Sequence, residues 1–164
     1  MDLVVIGGYY GKGKRCGTYG GYLLACYNET DETYQSICKI GTGFSDNDLL
    51  TQFELFKSEI IEGPMESYEY SDTPNIKPDV WFDAKVVFEV KAADFSLSPV
   101  HKAAMGLVED GRGISLRFPR FVKIRDDKGA TDATGCVQVK EMYLSQVINV
   151  ASKSEPGVDD DFEF

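Results

Sequence analysis

Histidine is almost missing from this sequence: His101 is the single one in 164 residues. Ser-His-Asp or Cys-His chemistry would have to use that residue, and a histidine-rich metal site is excluded. The four cysteines, at positions 16, 26, 38 and 136, form no Cys-x-x-Cys pair. That argues against a zinc ribbon or a thioredoxin-like redox pair, and they read as buried or half-buried reduced thiols of an intracellular protein. No run approaches the roughly 18 consecutive apolar residues of a membrane-spanning helix. No basic-then-apolar leader opens the chain, so secretion is not expected.

What is present is ordinary for one globular domain: 43% hydrophobic and 27% charged residues, in a chain long enough to bury one core. The net charge of −10 argues against non-specific nucleic-acid binding only if it is averaged over the chain. It is unevenly spread. Lys12, Lys14 and Arg15 form one basic island, and Arg112, Arg117, Arg120, Lys123, Arg125 and Lys128 form a second, diluted by Asp126 and Asp127. Two such islands on an acidic body can draw an anionic ligand to one face.

Leu3-Val4-Val5-Ile6 reads as a buried strand, and Tyr22 to Tyr27 as a second, joined to the first by a glycine-rich basic loop. Gln35 to Ile40 closes a meander. Ser45 and Asp48 form a capping-box pattern, followed by Leu49, Phe53, Phe56 and Ile60 at helical spacing, so a helix is expected over 46–61. Residues 62–79, with Gly63, Pro64, Pro74 and Pro78, read as an irregular connection. Val80 to Phe82 is a short apolar piece, and 85–92 alternates as a half-exposed strand. The last strand is expected over 114–125, where Ile114, Leu116, Phe118, Val122 and Ile124 share a parity. Pro119 interrupts it, and a proline inside a strand implies an edge or a bulge, which leaves the direction of Phe118 open. A second helix is expected near 134–148. The five acidic residues from Glu155 to Phe164 read as a solvated tail. Five to six strands with a helix between the third and fourth is the order of an OB-fold, a five-stranded Greek-key barrel. The expected class is all-β with flanking helices, the domain spanning 1–150 and the tail 151–164.

Gly11-Lys12-Gly13-Lys14-Arg15 lacks GxxxxGK[ST] and joins two strands, so it is no Walker-type ATP site. It is either a flexible hairpin tip or a loop that contacts phosphates without reading bases. Arg117 to Lys128 is the densest chemical stretch. Arginine offers a planar fork to phosphate oxygens, and an aromatic between arginines suits a groove wedge or a stacking platform. The same stretch also fits a solvated strand face with Phe118 in the core. Asp126 and Asp127 suit a turn or a pairing with Lys128 better than catalysis. His101 reads as a surface or packing residue. The aspartates at 159–161 have no metal-loop spacing.

Several stretches in order resemble the C-terminal OB-fold domain of eukaryotic replicative ATP-dependent DNA ligases, the DNA ligase I type. They are Asp2 to Arg15, Tyr19 to Tyr27, Ile37 to Asp46, Pro78 to Trp81, Phe88 to Pro99 and Gly113 to Lys128, the last resembling the family's motif VI. The resemblance runs to about Val147. It implies a parent enzyme that uses ATP and magnesium. In that enzyme a lysine is adenylylated, AMP passes to the 5′-phosphate of a nick, and the 3′-hydroxyl displaces it. The family's nucleophile lies in a Lys-x-Asp-Gly motif of an adenylation domain, which is absent here. The chain is therefore expected to be a C-terminal fragment, monomeric and inactive alone, without a metal site of its own.

The resemblance further implies residue roles. Arg125 and Lys128 match the motif VI cations that face the β- and γ-phosphates of ATP. Arg117 and Phe118 match the pair that enters the minor groove, and Arg120, Lys12, Lys14 and Arg15 would contact DNA phosphates or neighbouring domains. Implied partners are nicked duplex DNA and the parent's adenylation and DNA-binding domains, with no membrane. The implied setting is the nucleus, in replication (including Okazaki-fragment joining), repair and recombination. Lys12 and Lys123 stand where the family often has arginine, keeping charge but losing bidentate contact. Two rivals are a free-standing OB module binding single strands, which needs exposed aromatics along a basic groove, and a protein-interaction barrel using helix 46–61 or the tail.

Overall fold

The computed structural model describes the backbone of residues 1–153 and the side chains of residues 1–147, so the acidic tail expected at 151–164 lies largely outside the described residues. Three long strands, β1 (Asp2–Tyr10), β2 (Tyr19–Asn28) and β3 (Thr33–Ile40), form the expected antiparallel meander. Helix α1 (Asp46–Phe56) follows, then short strands β4 (Ile60–Ile61), β5 (Tyr68–Glu69) and β6 (Val80–Phe82). Strands β7 (Val87–Lys91), β8 (Asp94–Ser98), β9 (Gly113–Arg117) and β10 (Arg120–Ile124) lead to α2 (Cys136–Lys153). The main sheet runs β10-β7-β1-β2-β3-β5, with β6 joined to β1 and β4, and β8 pairs with β9 apart from it. This is the mostly-β domain with an inter-strand helix and a C-terminal helix, but its regular ladder does not close. Backbone bonds span the gap: Ser36 O accepts from Lys102 and Ala103 N–H, and Ala103 O accepts from Ile114 N–H at the start of β9.

The capping box forms as expected, Ser45 Oγ accepting from Asp48 N–H at 3.0 Å and Asp48 accepting from Ser45 N–H at 2.9 Å. The helix is shorter than 46–61. After Phe56 it tightens into one 3₁₀ turn, and Ile60 then leaves it to pair with Phe82, exposed on β4 rather than packed on the helix face. Helical spacing of Ile60 was a coincidence of period; its partner on β6 is 22 positions away and invisible to a local pattern.

Leu3 to Ile6 is apolar throughout because both faces are buried. Leu3 and Val5 face the main core with Tyr22, Leu24, Phe56, Phe82, Phe88 and Phe121. Val4 and Ile6 face outward, where Tyr68, Ile76 and Trp81 cover them with Leu23 and Ala25. The 62–79 connection is therefore a cover for the outer sheet face. It is anchored by Tyr68 Oη donating to Phe82 O at 2.7 Å and by Tyr9 Oη donating to Ile76 O.

His101 is a packing residue. It is buried, its Nδ1 lies 3.3 Å from Ser36 Oγ, and its backbone N–H donates to Ser98 Oγ at 3.0 Å. Burial, aided by the Lys39 charge, pushes its pKa down to about 4. The unfolded chain protonates this imidazole near pH 6.5, before the folded chain does. Stability should therefore fall as pH drops from about 6.5 to about 4, by up to roughly 3 kcal/mol from this group. Urea midpoints of the wild type across that window, against His101→Gln, check it; the variant should lose most of the slope. Three cysteines are buried, but Cys16 is exposed, a correction to the expected uniform burial.

Candidate functional site

The stretch expected as one strand over 114–125 is two strands in two sheets. Ile114 and Leu116 of β9 are buried, and the chain then turns out at Phe118, whose φ is +54°. A non-glycine residue seldom holds that conformation. Re-entry at Arg120 shifts the parity: Phe121 points into the core, stacked 4.7 Å from Phe44, while Val122, expected inside, is exposed. Phe118 is 74% exposed. Arg117 lies over its ring at 5.4 Å, and Arg117 Nη1 makes a long, 3.4 Å contact to Asp94 Oδ2. Stacking on a guanidinium restrains the exposed ring.

The two basic islands meet across one turn. Arg15 Nη1 donates to Gly20 O and Gly41 O, both at 2.8 Å, so Arg15 pins the basic loop to the turn after β3. Thr42 O in that turn accepts from Phe121 N–H at 2.8 Å. Gly43 completes it with φ of +98°, where a Cβ would lie 2.6 Å from Phe121 O and 2.9 Å from Arg120 Cγ. Only glycine fits there. Lys12, Lys14, Arg120 and Lys123 are exposed, and among the described residues they make no ion pair.

Arg125 and Lys128 lie at the other end of β10, about 16 Å along a five-residue strand from Arg120. They are not free cations. Arg125 holds Asp127 with two N–H groups, Nε at 3.0 Å and Nη2 at 2.8 Å, and Lys128 Nζ lies 2.8 Å from Asp2 Oδ2. Asp126 and Asp127 form the turn after β10, one of the two readings the sequence offered, and Asp127 pairs there with Arg125 rather than with Lys128. The Arg125 hydrogen bonds lower the Asp127 pKa to about 2. Asp2, Asp94 and Gly43 are the site residues that sequence reasoning missed. Each is distant in the chain from the cation or strand it serves, and no spacing links Asp2 to Lys128.

Among the described residues the aromatics do not form a single-strand platform: of nine tyrosines only Tyr10 is exposed. Among the described residues no three His, Cys, Asp or Glu side chains gather to hold a metal, and no helix is long and apolar enough to cross a membrane.

The family model described as the C-terminal region of ATP-dependent DNA ligases matches residues 15–128. The chain is 53% identical over 165 aligned residues to DNA ligase 1 of Drosophila melanogaster, covering 99% of this chain and 22% of that protein. It is 56% identical over 147 residues to DNA ligase 1 of Schizosaccharomyces pombe, covering 90% of this chain and 19% of the relative. It therefore spans about a fifth of the length of these relatives. Among solved structures, the ligase domain of LigD from M. tuberculosis superposes with a TM-score of 0.63 at 17% identity, over 81% of this chain and 37% of that one, a likeness of fold.

Proposed function

The chain belongs to the family of C-terminal regions of ATP-dependent DNA ligases, and from that premise we propose that it serves as the OB-fold domain of a nick-sealing enzyme. The observation that carries the reading is β10, with one cationic set at each end. Arg117 and the exposed Phe118 precede it; Arg125 and Lys128 follow it. Sets some 16 Å apart on a rigid strand serve two ligands in turn, so the domain reorients between ATP and DNA. At the first, Arg125 and Lys128 neutralise charge on the departing pyrophosphate while a lysine elsewhere in the enzyme takes AMP. At the second, Phe118 enters the minor groove at the nick as a wedge. Arg117 enters the groove beside it, while Arg120 and, on the loop that Arg15 shapes, Lys12 and Lys14 meet phosphates. ATP is the substrate of the first step. Magnesium, which the family implies, belongs to the full-length enzyme; among the described residues no three His, Cys, Asp or Glu side chains gather to hold it. The domain acts as a single copy beside its adenylation and DNA-binding domains, in the nucleus.

The 164-residue chain should bind a nicked duplex weakly and transfer nothing to it, because no Lys-x-Asp-Gly nucleophile is present. Binding by fluorescence anisotropy should weaken steeply with salt, since each phosphate contact releases counterions. Incubation with radiolabelled ATP should leave the chain unlabelled on a denaturing gel. A labelled band, or binding indifferent to salt, would refute the assignment.

A further inference from the structure

Asp2 opens β1, opposite Glu89 of β7, and its place is set by the backbone. Its N–H donates to Thr134 Oγ1 at 2.9 Å, and its carbonyl accepts from Thr134 N–H at 2.8 Å. The side chain is 13% exposed and touches both cations at this end of β10. Oδ2 accepts from Lys128 Nζ at 2.8 Å, while Arg125 Nη1 lies 3.2 and 3.3 Å from its two oxygens. Burial opposes ionisation of Asp2, but the Lys128 hydrogen bond and the Lys128 and Arg125 charges outweigh it and hold its pKa below the ordinary carboxylate value.

The other carboxylates around Arg125 differ in kind. Glu89 Oε1 stands 3.7 Å from Nη1, too far for a hydrogen bond. Asp127 is 66% exposed, sits on a loop, and occupies the Nε and Nη2 edge of the guanidinium. That two-donor edge is the one a phosphate takes in bidentate contact. An exposed ion pair is worth little and exchanges at small cost, whereas the Asp2 carboxylate is held by two partly buried cations at once.

We propose that Asp2 is a positioning residue that holds Arg125 and Lys128 side by side as one phosphate-facing pair, and that Asp127 keeps the place on Arg125 that a phosphate of ATP takes over. This rests on the proposed role of Arg125 and Lys128 in adenylylation. Exchange of one anion for another on Arg125 leaves the local charge balanced, and the Asp2 contacts persist through it, so neither cation has to be recruited from solvent.

The test uses a full-length ligase carrying this domain and compares enzyme adenylylation with sealing of a nick that already carries AMP. Asp2→Asn should slow adenylylation by about 10–100-fold, the scale for losing a partner that orients a ligating group. The KM for ATP should rise with it. Sealing of the adenylylated nick should stay within about twofold, which also reports a folded, DNA-competent enzyme. Asp2→Ser, less crowded at the same site, should give the same ratio of the two rates. Asp127→Asn should cost adenylylation less than Asp2→Asn does. Unimpaired adenylylation in Asp2→Asn, equal loss in both steps in both Asp2 variants, or an Asp127→Asn loss as large as that of Asp2→Asn would overturn the proposal. Normal adenylylation in Arg125→Ala and Lys128→Ala would instead overturn the functional reading beneath it.

Discussion

Replacing Arg125 with alanine in a full-length ligase carrying this domain is expected to slow enzyme adenylylation by roughly 10²–10³-fold, the scale for one contact to developing charge. Lys128→Ala should act in the same direction. Sealing of a nick that already carries AMP should suffer far less, because no pyrophosphate leaves in that step. Arg125 must be read with its neighbours in mind. Its removal also strips a counter-charge from Asp2, Glu89 and Asp127. Arg125→Lys separates the two effects: it keeps charge beside the carboxylates but loses the two-donor edge. Adenylylation should stay depressed in Arg125→Lys if the fork acts on phosphate. Single-turnover labelling with ATP, beside sealing of the preformed DNA–AMP, measures both steps. Equal loss in both would break the division of labour between the ends of β10.

The second large effect separates two phenylalanines three residues apart. Phe121 is buried, stacked on Phe44 at 4.7 Å and edge-on to Phe88 at 4.8 Å. Phe121→Ala should cost about 3–5 kcal/mol, lowering the melting temperature on the order of 10 °C for a chain of this size. Phe118 packs on no core residue and is 74% exposed. Phe118→Ala should change stability by about 0.5 kcal/mol or less, while nick sealing by the full-length enzyme drops. Thermal melting of both variants of the 164-residue chain, beside sealing assays, checks the pair. A large melting loss in Phe118→Ala would mean that the ring packs after all. Unimpaired sealing would mean that it is no wedge.

Much of this molecule could be read before any coordinates. The apolar run Leu3 to Ile6, the capping box at Ser45 and the cluster of cations from Arg117 to Lys128 are local signals, carried by neighbours in the chain. Local sterics, alternation and side-chain capping act over a few residues, so they survive in the sequence. The resemblance extended that reading to roles for Arg125, Lys128, Arg117 and Phe118. Alternation and resemblance disagreed over Phe118. Alternation failed because it assumes one continuous strand, and the break at φ +54° resets the parity between β9 and β10.

Long-range pairing, by contrast, left no local mark. Nothing near Asp2 announces that its carboxylate reaches Lys128, 126 residues away. Nothing in residues 62–79 announces that Tyr68 and Ile76 cover the outer face of β1 and β2. Such partners are brought together by burial of apolar surface, which is non-directional and indifferent to separation along the chain. Composition and local pattern thus determined the opening strands, the cap and the inventory of charges. Which cations are left unpaired and which are held by carboxylates was decided by packing, because that depends on what the folded sheet places within about 3 Å of each cation.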